Sequence, residues 1–492
     1  MILFVAMPSM LATPVPAGAA RPGTGEAPLL RWRSCGRAFE CATLRVPTDY
    51  DHAEAGTTAI RVISRPAGEP DRRIGSLVIN YGGPGDPGAE TLRQAAASMP
   101  HAIRGRFDLV SFDPRGTGRS HPVDCIDDAN FERAWADDRT PDSREELPSF
   151  YDGTAGSVDL VAECIDHNGS WLAHVGTRNV ARDLDRLRTG LGDERLTFLG
   201  YSYGTVLGAA YAQQFPDRVQ AMVLDAPVDL SSTMEQQQRA NAAGFEHALD
   251  EFLADCAARQ KCAFHSHGDP RRALEALRTR LEGGERIPTA PDRSIGSTEL
   301  YVALLSALYS RANWAFLADS LHRAAQKADG TGLEALSDVY AGRRIDGTYS
   351  NFQEALGIIV CDDRPEPLVS FDVFRAMYDE FSRDYPFLGP VLGSGPVGCD
   401  PRLPSPRLDD RLGDVRVDRA PPLLLIGTTA DPATPYAGAQ DLQQRISGSA
   451  LLTVDDTRHG GYATGNDCVD KIVDRYLLRG AVPPPDTRCA GS

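Results

Sequence analysis

Positive charge is in short supply in this chain. Its 51 Lys and Arg stand against 68 Asp and Glu, a formal net charge of -17. That balance argues against nucleic acid and anionic membrane surfaces as partners. No block of like charge is long enough to make a disordered tail. Past the first residues, no apolar run is long enough to span a membrane. No CxxC spacing prepares a zinc site. His265-Ser266-His267 has no acidic or cysteine cluster nearby, so it reads as a solvated loop and no metal is expected. The glycine-rich stretch Asn80-Tyr81-Gly82-Gly83-Pro84-Gly85 lacks both a Walker lysine and the G-x-G-x-x-G spacing. No cofactor is expected either. Internal repeats are absent, as are low-complexity tracts beyond a Pro/Ala-rich start.

What is present suits a large globular protein. Of 492 residues, 42% are hydrophobic and 24% charged, ample for a core with an insertion. Residues 1–20 read as an export signal. Met1-Ile2-Leu3-Phe4-Val5-Ala6-Met7 opens an apolar stretch, and Ala17-Gly18-Ala19-Ala20 supplies small residues for cleavage. Its first residues carry no Lys or Arg, which points to an upstream start or an atypical signal. The 10 cysteines are even in number. Taken in order they pair as 35–41, 125–164, 256–262, 361–399 and 468–489. Sequence alone leaves that connectivity open, but local loops of this kind fit an extracytoplasmic protein. Stable membrane insertion after signal cleavage is not expected, and oligomeric state is not legible.

Apolar patterning sets the fold class. Residues 41–47 and 57–63 alternate at period two, as in an antiparallel pair at a sheet edge. Residues 76–80, 107–113, 196–199, 221–225, 422–427 and 450–454 are near-continuous apolar runs, as in buried parallel strands. Helical patterns over 180–191, 434–445 and 468–478 fall among them. The expectation is an α/β layer fold with eight mostly parallel strands flanked by helices. From 230 to 420 no strand is convincing. Amphipathic helices are predicted instead over 242–258, 271–281, 299–310, 315–328 and 369–383. This interval is too long for a connection, so it reads as an inserted helical lid. The core is then 35–229 together with 421–492.

One motif carries the chemistry. Gly200-Tyr201-Ser202-Tyr203-Gly204 spells G-x-S-x-G between a strand-like run, Leu196–Leu199, and a helix-like run from Thr205. Strand, sharp turn and helix make a nucleophile elbow, the signature of the α/β-hydrolase fold. Such a serine needs a base, a group that orients the base, and donors for an oxyanion. In this fold the order is Ser, then Asp or Glu, then His. Only His459, of 10 histidines, follows the last predicted strand. Asp431, at the tip of the preceding strand, would accept its Nδ1 hydrogen, although a capping or turn role is the alternative. Asp455 and Asp456 are rivals, but they sit too close in sequence to His459. Tyr203 is the first expected oxyanion donor. Gly83 is the favoured second, with Gly82 the alternative. Losing one such donor typically costs ~3 kcal/mol of barrier. Asp113-Pro114-Arg115-Gly116-Thr117-Gly118-Arg119-Ser120 is assigned a structural role.

Together, Tyr81–Gly85, Asp113–Ser120 and Gly200–Thr205 resemble the proline iminopeptidase branch of the α/β-hydrolases. The chain is more similar still to the secreted bacterial tripeptidyl aminopeptidase family. Trp32, Cys35, Cys41-Ala42 and Val46-Pro47-Thr48-Asp49-Tyr50 carry that likeness early on. Asp431–Pro435, His459-Gly460-Gly461-Tyr462, Cys468-Val469 and Gly480…Pro483…Cys489 carry it at the end. The resemblance spans nearly the whole mature chain and is weakest in the lid. It implies a secreted serine exopeptidase that releases short peptides from free N-termini, with Ser202, Asp431 and His459 as triad. An esterase on the same triad is the alternative. Tyr81 stands where the proline iminopeptidases carry His, which loosens the link to strict proline specificity. The resemblance also implies acidic groups that hold the substrate ammonium. Asp362, Asp363 and Asp225 are the candidates.

Overall fold

The computed structural model describes residues 29–491, apart from 138–139, 142–143, 291–292, 396 and 407–410. The expected export signal lies outside the described residues.

A sheet of ten strands, not eight, forms the centre. Its strands are β1 (Arg33–Ser34), β2 (Glu40–Pro47), β3 (Thr57–Arg65), β4 (Gly75–Asn80), β5 (Phe107–Phe112), β6 (Leu196–Tyr201) and β7 (Val219–Asp225), then β10 (Leu424–Thr428), β11 (Ala450–Asp455) and β12 (Arg488–Ala490). The two unexpected strands, β1 and β12, are only two and three residues long, too short to show a period. A separate hairpin, β8 (Ile287–Ala290) and β9 (Arg293–Ile295), lies inside the helical interval where no strand was expected. The order in the large sheet is β1-β2-β3-β5-β4-β6-β7-β10-β11-β12. The pairings β1/β2, β2/β3 and β3/β5 are antiparallel and the rest parallel.

The apolar runs follow from burial on both faces. Along β4, β5 and β6, Val78, Val110 and Phe198 point to one core, against the helices Thr177–Leu191 and Gly204–Gln214. Their neighbours Leu77, Leu109 and Leu199 point to the other, with Leu92 and Val473 of the helices Gly88–Ala95 and Asp467–Arg479. Successive side chains alternate faces, so a strand covered on both sides must be apolar throughout.

Between β7 and β10 the chain is mainly helical. Met234–Ala258, Pro270–Glu282, Ser297–Leu308, Trp314–Lys327 and Thr331–Ala341 share a core of their own, including Phe252, Leu274, Leu304 and Leu321. The first of these begins eight residues before the expected start at 242. A capping box, Thr233 with Gln236, sets its N-terminus, while Glu235 to Arg239 are polar and give no period. The helix Phe352–Asp363 carries apolar residues nearly all round, so its sequence lacks an amphipathic stripe and was not anticipated.

All 10 cysteines pair in sequence order, closing 35–41, 125–164, 256–262, 361–399 and 468–489. The last ties β12 to the closing helix.

The Asp113–Ser120 turn is structural, as its composition suggested. Arg115 is fully buried and meets both oxygens of Asp183 at 2.7 Å. It also donates to the carbonyls of Pro47, Thr48 and His174. One guanidinium thereby joins the β2 end, the turn and the helix Thr177–Leu191. Arg115→Met leaves Asp183 with its Tyr50 hydrogen bond but no counter-charge. Breaking a buried pair by removing one partner costs about 3–5 kcal/mol. The expected result is a large drop in the urea midpoint; a midpoint equal to wild type would contradict this role.

Candidate active site

The parallel strands deliver the site residues at their C-terminal ends, where open α/β sheets place ligands. After β6 the chain turns sharply into the helix Gly204–Gln214. Ser202 stands in the turn with φ +54, a left-handed conformation that costs energy in any residue with a side chain. Its N–H donates to the Asp225 carbonyl at 2.9 Å, which pins the strained turn to β7. Gly204 is required by space, since a β-carbon there would lie 2.7 Å from the Asn80 carbonyl oxygen.

The loop after β4 lies directly against this elbow. A β-carbon on Gly82, at φ +99, would fall 2.9 Å from the Ser202 β-carbon and 3.0 Å from the Tyr203 nitrogen. The Gly82 N–H is already taken, donating to Asn80 Oδ1 at 3.1 Å. Gly83 is exposed, and its N–H has no hydrogen-bond partner among the described residues. Of the two loop amides, Gly83 is the one left open. Tyr203 opens the elbow helix, so its amide belongs to the first-turn donors that a helix leaves unsatisfied.

His459 follows β11, and Asp431 follows β10. Nδ1 of His459 lies 2.9 Å and 3.0 Å from the two oxygens of Asp431. Asp431 is 3% exposed. Its Oδ1 also accepts the N–H groups of Ala433 and Thr434, and its Oδ2 that of Gly460. The turn role and the contact with the histidine therefore coexist in one carboxylate. Burial pulls the His459 pKa down most strongly. The charge of Asp431, its hydrogen bond and the charge of Asp225 together outweigh burial, and the net shift is upward. Asp455 pairs with Arg488 instead, and Asp456 caps the Thr457 N–H.

Two contacts of His459 were not read from the sequence. Thr434 Oγ1 is 3.2 Å from Nδ1. Its place three residues after Asp431, in the same turn, was the available signal. The second comes from the lid. The His459 N–H donates to the Tyr309 carbonyl at 2.7 Å, and the Tyr309 ring stands edge-on to the imidazole with centroids 5.2 Å apart. Ser310 and Arg458 add an antiparallel bridge. Nothing local in the sequence joins these two segments.

The three acids expected to hold an ammonium each accept backbone amides. Asp225 is fully buried, and its carboxylate accepts the N–H groups of Gly461 and Tyr462 at 2.8–3.1 Å. It anchors the loop that carries His459. Burial raises its pKa to about 6 despite those bonds. Asp362 accepts the Gly176 N–H and Asp363 the Thr177 N–H, each at 2.5 Å. Both sit on the positive end of the helix Thr177–Leu191, where carboxylates are favoured. Asp363 also accepts the Tyr203 hydroxyl, and burial raises it to about 6. All three accept backbone N–H groups from buried positions.

Comparison with known proteins agrees with the architecture. The family described as "alpha/beta hydrolase fold" matches residues 75–267, and that described as "TAP-like protein" matches 385–489. "Serine protease Hip1" of Mycobacterium tuberculosis is 37% identical over 465 residues, covering 91% of this chain and 87% of the relative. "Carboxylesterase B" of the same species is 34% identical over 510 residues, covering 98% and 95%. "Tripeptidyl aminopeptidase" of Streptomyces lividans is 29% identical over 475 residues, covering 93% and 86%. With relatives this similar along nearly the whole length, the chain belongs to the α/β-hydrolase family, among its TAP-like enzymes, and is a hydrolase.

Proposed function

We propose that this enzyme is a serine exopeptidase that releases single residues or short peptides, two or three residues long, from free N-termini. The observation that carries the reading is the Asp431–His459 pair, set at the same sheet end as the strained Ser202. Ser202 attacks the scissile carbonyl, and His459 takes its proton. Asp431 holds Nδ1 protonated and stabilises the imidazolium. The amides of Tyr203 and Gly83 receive the oxyanion. His459 then protonates the leaving amine, and water releases the acyl group by the reverse path. No step calls on a metal or cofactor.

The exopeptidase choice is supported by the relatives named serine protease and tripeptidyl aminopeptidase. Five disulfides support a place of action outside the reducing cytoplasm. A second reading, hydrolysis of carboxylic esters, is favoured by the relative named carboxylesterase B. The chemistry of the two is shared, so the substrate must separate them. A chromogenic tripeptide anilide with a free amine should be cleaved at least tenfold faster, as kcat/KM, than its N-acetyl form. Equal rates on both, or a preference for simple esters, would overturn the exopeptidase reading and leave the esterase.

A further inference from the structure

An exopeptidase must meet the substrate ammonium with an acceptor of opposite charge. The three acids above are tied to backbone amides, whereas Asp86 is placed differently. It lies three residues beyond Gly83, on the loop that faces Ser202. That loop folds back, so a β-carbon on Gly83 would lie 3.1 Å from the Asp86 nitrogen. One carboxylate oxygen accepts the Thr91 hydroxyl at 2.8 Å. The other, Oδ2, is shut off from bulk solvent and has no hydrogen-bond partner among the described residues. Nor does a described Lys or Arg pair with it. Burial raises its pKa to about 7, with Asp113 and Glu90 adding to the rise against the Thr91 bond. An arriving cation would favour the ionised form.

Asp86 lines a cleft of about 700 Å3 between the helix Gly88–Ala95 and the lid. The cleft reaches the oxyanion loop at Phe352, whose ring lies 2.8 Å from where a Gly83 β-carbon would be. Val339 and Ile345 stand at its mouth, 74% and 108% exposed. The cations on its walls are already occupied. Arg343 lies 3.7 Å from Asp338 and over the Tyr349 ring. Arg344 lies 3.7 Å from Glu90 and donates to the Tyr349 carbonyl. A carboxylate and an apolar lip thus share one groove, and Phe352 on its wall abuts the loop that carries Gly83.

We propose that Asp86 holds the α-ammonium of the peptide substrate, with the first residues of the peptide lying in this cleft and their apolar side chains against Val339 and Ile345. The assignment rests on the exopeptidase reading. An ammonium brings hydrogen-bond donors and the missing counter-charge, and charge-assisted bonds are about twice as strong as neutral ones. An acetylated amine brings no charge and offers the carboxyl no ionic partner.

Asp86→Asn keeps the shape and removes the charge. It should lower kcat/KM on the free-amine anilide on the order of tenfold to a hundredfold, mainly through KM. Cleavage of a small neutral ester and fluorophosphonate labelling should fall by at least tenfold less, so the free-to-acetylated ratio collapses towards one. Asp86→Glu, which restores the charge, should recover part of that ratio. Asp86→Ser is read in place of Asp86→Asn if the latter fails to melt cooperatively. A retained ratio in Asp86→Asn, or an equal loss on ester and peptide, overturns the assignment. If wild type itself shows no free-amine preference, this assignment and the exopeptidase reading fall together. If wild type prefers free amines and Asp86→Asn still does, only the role of Asp86 falls.

Discussion

Ser202→Ala will lower kcat on a free-amine peptide anilide about a millionfold, the size of effect seen when a triad serine is removed. Labelling by a fluorophosphonate will vanish. The melting temperature will change little, because alanine and serine pay a similar cost at φ +54 and the Ser202 N–H bond to Asp225 survives. The loss cannot then be blamed on a collapsed elbow. Some catalysis over water should persist, since the Tyr203 and Gly83 amides would remain to receive the oxyanion. A variant that turns over at a tenth of the wild-type rate would remove Ser202 from the mechanism, and with it the acyl-enzyme.

The second large effect belongs to Asp431. Asp431→Asn keeps an oxygen for the N–H groups of Ala433 and Thr434, so the turn survives. It loses the charge that faces His459 Nδ1, and an amide can present its own hydrogens there, favouring the wrong tautomer. A fall of about ten-thousandfold in kcat is expected. The pH profile should move as well. His459 must be neutral to act as base, so kcat/KM rises as pH climbs through its pKa. In wild type that limb lies above the ordinary histidine value, because Asp431 and Asp225 outweigh burial. In Asp431→Asn the largest upward influence is gone while burial persists, so the limb shifts to lower pH. A limb that stays in place, or moves upward, would mean that Asp431 does not set the protonation of His459. Thr434 Oγ1, 3.2 Å from Nδ1, offers the ring a polar neighbour in the variant.

Much of this was legible because it is local. A G-x-S-x-G between a strand and a helix needs no distant information: its small residues are demanded by the turn itself. The apolar runs of β4 to β7 were legible because burial on both faces leaves no polar positions. Asp431 and His459 were legible through chain order, which the fold imposes. The strands at the two sheet edges were not, because two or three residues cannot show a period. The helix Phe352–Asp363 was not, because it is covered on several sides and so has no stripe.

The acids divide along the same line. Sequence offered Asp225, Asp362 and Asp363 as ammonium acceptors and did not single out Asp86. Which of them faces a backbone amide and which keeps an open oxygen depends on partners far away in the chain. Asp225 is matched to Gly461 and Tyr462, and Asp362 to Gly176, by the way separate elements close on one another. By itself, then, the sequence determined the sheet and helix layers, the nucleophile elbow and the candidate triad, since each depends on near neighbours or on chain order. Only the tertiary structure decided the fate of each carboxylate, the grip of Tyr309 on the His459 loop and the cleft beside Asp86. Those depend on contacts between segments that no local pattern encodes.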